Sequence, residues 1–433
     1  MKVLRLSLSN RFAVLYCLWM ACNGAVLNAQ TASFENPPIN YPSAKVDDAI
    51  SRLNKRLESG EADLEFDNEH GYLSSVMEHL KIPVSSQGLV FSKTSLQIQR
   101  ITPSRPRAVY FNDDVYIGWV QNGDVIEVAA TDANQGPTFY TLRQRKTETP
   151  RFIRDQGQCI VCHASSRTQN VPGYLVRSVY PSRSGHPNYG SGTYTTNITS
   201  PFNERWGGWY VTGTHGKMRH MGNATFRENE RSPDLNDGAN RKTLNGLVDT
   251  KPYLSGHSDL VALMVLEHQT QMHNAITFAN YETRQALHQS YSMNKLLERD
   301  PKHVSDVAKR RIDSAVERVI EHLLMCEEFR LADTVAGSSS FAADFTSIGP
   351  RDSKQRSLRD LDLKTRLFRY PCSFLIYSES FMGLPKHVKE PIVERLNQIL
   401  KGEKESKAFS HLTPELRAAI LEILQETHED FRV

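Results

Sequence analysis

The chain has 433 residues, of which 39% are hydrophobic and 23% charged, so it can bury a substantial core and exceeds the length of one typical domain. Residues 1–29 hold three of its 52 Lys and Arg and no acidic residue, which leaves 49 basic against 49 acidic side chains in the remainder. That balance argues against nucleic acid as a partner.

Residues 1–29 read as a secretory signal peptide. Lys2, Arg5 and Arg11 form its positive region, residues 12–27 its apolar stretch, and Ala29 offers a small cleavage residue. The apolar stretch falls short of the ~20 residues that cross a bilayer comfortably. An uncleaved N-terminus, and membrane association through it, is the alternative. Cys22 fits a lipidation site only loosely, because bulky Trp19 and Met20 precede it. Removal of the leader also removes Cys17 and Cys22, leaving Cys159, Cys162, Cys326 and Cys372.

Residues 30–105 form an N-terminal segment. Its first part, residues 31–45, is rich in Pro, Asn and Ser, lacks a sustained period and reads as a flexible lead-in. Residues 106–255 are expected to be strand-rich. Val109-Tyr110-Phe111, Val115-Tyr116-Ile117-Gly118-Trp119-Val120 and Val125-Ile126-Glu127-Val128 are separated by the turn sequences Asn112-Asp113-Asp114 and Asn122-Gly123-Asp124. Residues 171–210 are dense in Gly, Pro, Ser, Thr and aromatics, which favours loops and short strands.

Residues 256–433 should form a helical domain. Leu260, Val261, Leu263, Met264, Met272, Ile276 and Phe278 recur near helical spacing after a cap at Ser258. A second helix is expected over 304–329, with Ile312, Val316, Ile320 and Leu323 on one face, and two shorter ones over 385–400 and 414–425, the last capped by Thr413. The fold class is therefore α+β, with a mixed N-terminal half of short strands and a mainly α-helical C-terminal half.

The strand-rich region contains Cys159-Ile160-Val161-Cys162-His163. In Cys-x-x-Cys-His two thiols can add to the two vinyl groups of haem, and the adjacent imidazole can reach the iron from the same side. Random placement at this composition would give the pattern on the order of 0.003 times per chain. A zinc site lacks a second closely spaced Cys pair, and a redox dithiol lacks a thioredoxin-like strand-then-helix setting. The motif thus points to one covalently attached haem c held by Cys159 and Cys162, with His163 as iron ligand. It agrees with export to the periplasm, because covalent haem attachment in bacteria takes place outside the cytoplasm.

Through Gly157-Gln158-Cys159-Ile160-Val161-Cys162-His163 and Val171-Pro172-Gly173 the chain resembles the c-type cytochromes. That resemblance implies that Pro172 supplies a carbonyl to the second nitrogen of His163, beside the plain reading of a Pro-Gly turn. Over most of its length the chain is also similar to large single-haem bacterial cytochrome c domain proteins, in Arg205-Trp206-Gly207-Gly208-Trp209-Tyr210, His220-Met221-Gly222-Asn223 and Gly349-Pro350-Arg351-Asp352. The family implies haem and export without a settled activity.

The distal iron ligand decides between functions. A downstream Met is the usual ligand in the cytochromes that this chain resembles, which singles out Met221 in its Gly-flanked loop, with His215 and His220 as alternatives and an open site as another. His268, Met272 and His273 cluster on the first long helix, as core packing or as a second ligand group. Arg154, Arg167 and Arg177 can pair with haem propionates, whereas Arg351, Arg356 and Arg359 read as a solvated loop. Cys326 and Cys372 can pair or stay separate buried thiols. These features lead to an expected electron carrier that meets a redox partner protein. The alternatives are a haem-dependent, peroxidase-like oxidoreductase with Trp206 and Trp209 in its distal pocket, and a haem-based ligand-binding or sensing module.

Overall fold

The computed structural model describes residues 33–227, 234–403 and 406–432, so the expected signal peptide lies outside the described residues. The fold is mixed α+β, an antiparallel seven-stranded sheet followed by a mostly helical C-terminal half.

Two helices precede the sheet, α1 (Ala49–Ser59) and α2 (Leu73–His79). Asp48 caps α1 by accepting the Ser51 N–H, and its other oxygen accepts the hydroxyls of Thr138 and Tyr140 at 2.7 and 2.6 Å. One buried carboxylate therefore both starts the helix and fastens it to the sheet.

The strands are β1 (Gly88–Val90), β2 (Arg107–Phe111), β3 (Val115–Val120), β4 (Val125–Asp132), β5 (Gly136–Arg143) and β6 (Phe152–Arg154). After the short helix α3 (Ile160–His163) and the β7–β8 hairpin (Arg177–Val179, Thr193–Thr195), β9 (Trp209–Tyr210) closes the order β6-β5-β4-β3-β2-β1-β9. The hairpins fall at the expected turns, with Asn122 in the left-handed region at φ 55°.

Because side chains alternate across a strand, the registers Arg107↔Val120, Val109↔Gly118, Gly118↔Glu127 and Glu127↔Thr141 define two faces. Tyr110, Ile117, Trp119, Ile126, Val128, Tyr140 and Leu142 point to one face and pack with Ile50, Leu53, Leu73 and Val76 of α1 and α2. Phe111 and Tyr116 point to the other, against the helical half. On that second face Glu127 and Ala129 are only half-buried, whereas Ile126, Val128 and Ala130 on the first face are buried, so the middle of the second face is left partly uncovered.

The central helix α4 (Leu260–Leu296) runs for 37 residues, longer than its apolar period suggests. Its cap is Asp259, which accepts the N–H groups of Val261 and Ala262. Ser258, the expected cap, instead accepts the Leu89 N–H and donates to the Tyr210 carbonyl, tying the helix start to the sheet. The second long helix, α5 (Asp306–Leu323), stops short of residue 329 because Met325 and Glu327 take left-handed backbone angles. Then come α6 (Lys386–Leu400) and α7 (Pro414–Thr427), the latter capped by Thr413 as expected. No helix among the described residues is long and apolar enough to cross a membrane.

Two further expectations fail. The lead-in is not loose: Phe34, Ile39 and Tyr41 pack with Val171 and Tyr281, and with Ile160 and Ala164 of the motif. Tyr41 Oη donates to the Pro137 carbonyl at 2.7 Å. Isolated apolar anchors in a chain of turns have no period for a sequence reading to detect. Nor is the Arg351–Arg359 loop fully solvated. Arg359 is buried over the rings of Phe345 and Phe374 and pairs with Asp113, while Arg351 and Arg356 pair with Asp360 and Asp352.

Candidate functional site

The uncovered part of the sheet is the floor of a cavity of about 460 Å³. Its walls include Gly118, Glu127, Ala129 and Phe139 on the sheet, residues 94–96, the Cys159–His163 turn, residues 174–177 with Trp209, and Leu266 and Thr270 of α4. A volume of this order suits a compact organic group. Val161 is 79% exposed and Leu96 49%, and both lie on the cavity wall.

The motif is positioned from both ends. Upstream, the Asp155 carboxylate accepts the N–H groups of Gly157, Gln158 and Cys159 at 2.9–3.1 Å, turning the chain into α3. Downstream, the loop folds back so that the Gly173 N–H donates to the His163 carbonyl at 2.7 Å. His163 Nδ1 lies 2.9 Å from the Gly173 carbonyl oxygen. A carbonyl can only accept, so Nδ1 carries the proton and Nε2 keeps its lone pair. Burial holds the His163 pKa below that of a free imidazole, with the Gly173 bond pulling the other way, so the ring is neutral. Phe139 packs against it with ring centroids 4.8 Å apart.

The expected carbonyl partner was Pro172, and it is displaced by one residue to Gly173. The reason is a residue that the sequence did not single out. Asn274 on α4 accepts the Tyr174 N–H at 2.8 Å and donates to the Tyr174 carbonyl at 2.9 Å. The chain thereby runs so close to α4 that a Cβ on Gly173 would sit 2.6 Å from Asn274 Oδ1 and 2.7 Å from Thr168 Cβ.

Cys159 and Cys162 are free thiols on the same wall, Cys159 half-buried and Cys162 exposed. Burial, reinforced by Asp155, pushes the Cys159 pKa up to about 12. That is opposite to the lowered value a redox dithiol needs. Among the described residues no group of three or more His, Cys, Asp or Glu side chains gathers as a metal-ion cluster.

The structure does not bring Met221 to this cavity. Its sulfur accepts from Ser178 Oγ at 3.8 Å and its methyl abuts Gly207 in the core. His215 and His220 pack against each other with ring centroids 4.7 Å apart and planes tilted by 57°, beside Phe202, and do not line the cavity either. Among the described residues the wall carries one histidine, His163, and no methionine. His268 bonds to Ser373 Oγ at 2.8 Å and His273 to the Asp113 carbonyl at 2.7 Å, with Met272 buried between them, which is core packing.

Of the three arginines, Arg167 and Arg177 reach the cavity. Arg154 instead donates to the Tyr41 and Ala44 carbonyls. Trp209 lines the cavity and donates to the Arg177 carbonyl, while Trp206 is a core residue. Cys326 and Cys372 are separate free thiols.

Three polar groups on the wall stand out, of which the sequence reading named Arg177 and passed over Arg107 and Ser95. The Nε atoms of Arg107 and Arg177 and the Oγ of Ser95 are buried without a hydrogen-bond partner. Two thiols, a lone-pair nitrogen, apolar walls and unmet donors together suit a flat, mostly apolar group with acidic substituents.

No protein-family model, no curated protein and no solved structure matches the chain.

Proposed function

We propose that the chain is an exported protein carrying one haem c, bound through Cys159 and Cys162 with His163 as proximal ligand, and that its iron is open to a small exogenous ligand. The observation that carries this reading is the convergence of two free thiols and an imidazole of fixed tautomer on one wall of a cavity of about 460 Å³ that, among the described residues, offers no Met or second His. An electron carrier usually fills both axial positions, so this wall favours the haem-dependent oxidoreductase or ligand-binding alternative over simple transfer.

Bound haem would supply redox and ligand-binding chemistry at its iron. The residues of the chain supply the rest. Gly173 fixes the proton on His163 Nδ1, which orients the ring and raises the basicity of Nε2. Phe139 keeps the ring from turning, and the face of Val109, Ala129 and Trp209 limits water. The buried, unpartnered Nε of Arg177 and hydroxyl of Ser95 are donors suited to the carboxylates of the macrocycle. The exposure of Val161 and Cys162 at the mouth would let electrons enter there from a redox partner.

The test is expression in a host competent in cytochrome maturation. The expected product is coloured, has the mass of the processed polypeptide plus one haem, keeps its haem after acid–acetone extraction, and binds carbon monoxide when reduced. A colourless protein with the bare polypeptide mass overturns the haem assignment. A low-spin ferrous spectrum that ignores carbon monoxide overturns the open site.

A further inference from the structure

We propose that Arg107, held by Glu127, forms a binding site for a small anion inside the cavity. This inference rests on the haem reading above and names the class of ligand that the open position would take.

The sheet register sets out the positions. Phe139 on β5 carries the ring of His163. One strand over, β4 presents Glu127 opposite Thr141, and one further, β3 presents Gly118 opposite Glu127. Strands are ~4.8 Å apart, so Gly118 lies roughly 10 Å across the floor from the strand that supports His163.

Arg107, on β2, fills the space above Gly118. A Cβ at Gly118 would lie 2.1 Å from one terminal nitrogen of Arg107 and 2.4 Å from its Cζ and Nε. No larger residue leaves room for the guanidinium, so the glycine is part of the site.

The guanidinium is also pinned. One terminal nitrogen donates to Glu127 Oε2 at 2.8 Å, and Glu127 Oε1 accepts from Gln97 Nε2 at 3.1 Å. Both carboxylate oxygens are therefore engaged, with the Arg107 and Glu127 side chains only 22% and 14% exposed.

What remains is a donor without an acceptor. Arg107 Nε is buried and unpartnered. A guanidinium never accepts, so only a ligand with an acceptor atom can satisfy it, and a full negative charge satisfies it best. A single buried donor of this kind suits an anion of only a few atoms. Azide, cyanide, nitrite and the hydroperoxide anion fit that class, whereas carbon monoxide carries no charge for Arg107 to recognise.

The experiment compares azide binding to the ferric protein with carbon monoxide binding to the ferrous protein, both read from absorbance changes of the haem-loaded chain. Arg107→Leu is expected to weaken azide at least tenfold and to change carbon monoxide affinity less than twofold. Gly118→Ala, which displaces the guanidinium without removing it, should move azide in the same direction. Because a lone Glu127 carboxylate could unsettle the fold, Arg107→Leu combined with Glu127→Leu removes both charges and should lose azide affinity to the same degree.

Azide affinity unchanged in these variants overturns the proposal. Unchanged azide binding with a shifted reduction potential also overturns it, by assigning Arg107 to the carboxylates of the macrocycle. If the parent protein holds haem but binds neither probe, the open-site reading fails, and the anion site with it. If the parent binds carbon monoxide and azide but the variants do not discriminate, the open-site reading survives and the anion site alone is lost.

Discussion

At the scale of single residues, the orientation of His163 depends on a side chain 111 positions away in sequence, Asn274. Asn274 bonds both the N–H and the C=O of Tyr174, and the first of these holds the peptide unit whose carbonyl, that of Gly173, meets the imidazole. Asn274→Ala leaves a buried N–H and C=O unmet, an expected loss of about 1–3 kcal/mol in the urea unfolding free energy. Gly173→Ala forces apart groups that already touch, at a cost of about 1–3 kcal/mol by the same measurement. An unchanged midpoint for both would remove Asn274 from this account. Cys159, Cys162 and His163 stand out in the sequence because their spacing is fixed and local, and the structure brings all three to one cavity wall. Asn274, Arg107 and Glu127 do not stand out there, since their meaning comes from strand register and helix docking between distant segments. Met221 stood out for its Gly-flanked loop, but flexibility of a loop says nothing about the direction in which it folds.

Among the elements, α4 carries the clearest pH signature. Burial pushes the pKa of His268 down to about 3, with the charges of His322 and His273 adding to it. The unfolded chain takes up this proton near pH 6.5 and the folded chain does not, so stability is full above that pH and is lost as pH falls toward 3. His268→Gln should flatten the urea midpoint against pH over this window, by about 3 kcal/mol between pH 7 and pH 4. A parallel pH profile in the variant would count against it. The second element of interest is the strap of residues 33–47 behind α3. Deleting residues 1–47 should speed amide exchange at residues 160–164 at least tenfold, read by mass spectrometry. Helix existence and the Thr413 cap were readable because period and capping chemistry are local. The 37-residue length of α4 was not, because its second half keeps helical geometry through packing on α5 rather than through a clean apolar stripe.

For the whole molecule, the sheet and the helical half share one core. Val109, Phe111 and Tyr116 pack in the same cluster as Leu263, Ile320, Phe374, Leu396 and Ile423. The sequence suggested a boundary near residue 256, where the text changes from strands to helices, yet α4 begins inside the sheet's own hydrogen-bond network at Ser258. Urea unfolding followed by far-ultraviolet circular dichroism and by tryptophan fluorescence, to which Trp119, Trp206 and Trp209 contribute, should therefore give coincident midpoints. Two separated transitions would mean that the halves fold independently. The strap has a consequence for the order in which the molecule is built. It lies across the back of the motif turn, against Ile160 and Ala164, and leaves Val161 and Cys162 facing outward. On the haem reading proposed above, an attachment enzyme would approach Cys162 from the front but meet Cys159 half shut in. Joining a tetrapyrrole to both sulfurs would then belong to a stage of synthesis before the strap docks, and a chain that closed early would be trapped with one bond made.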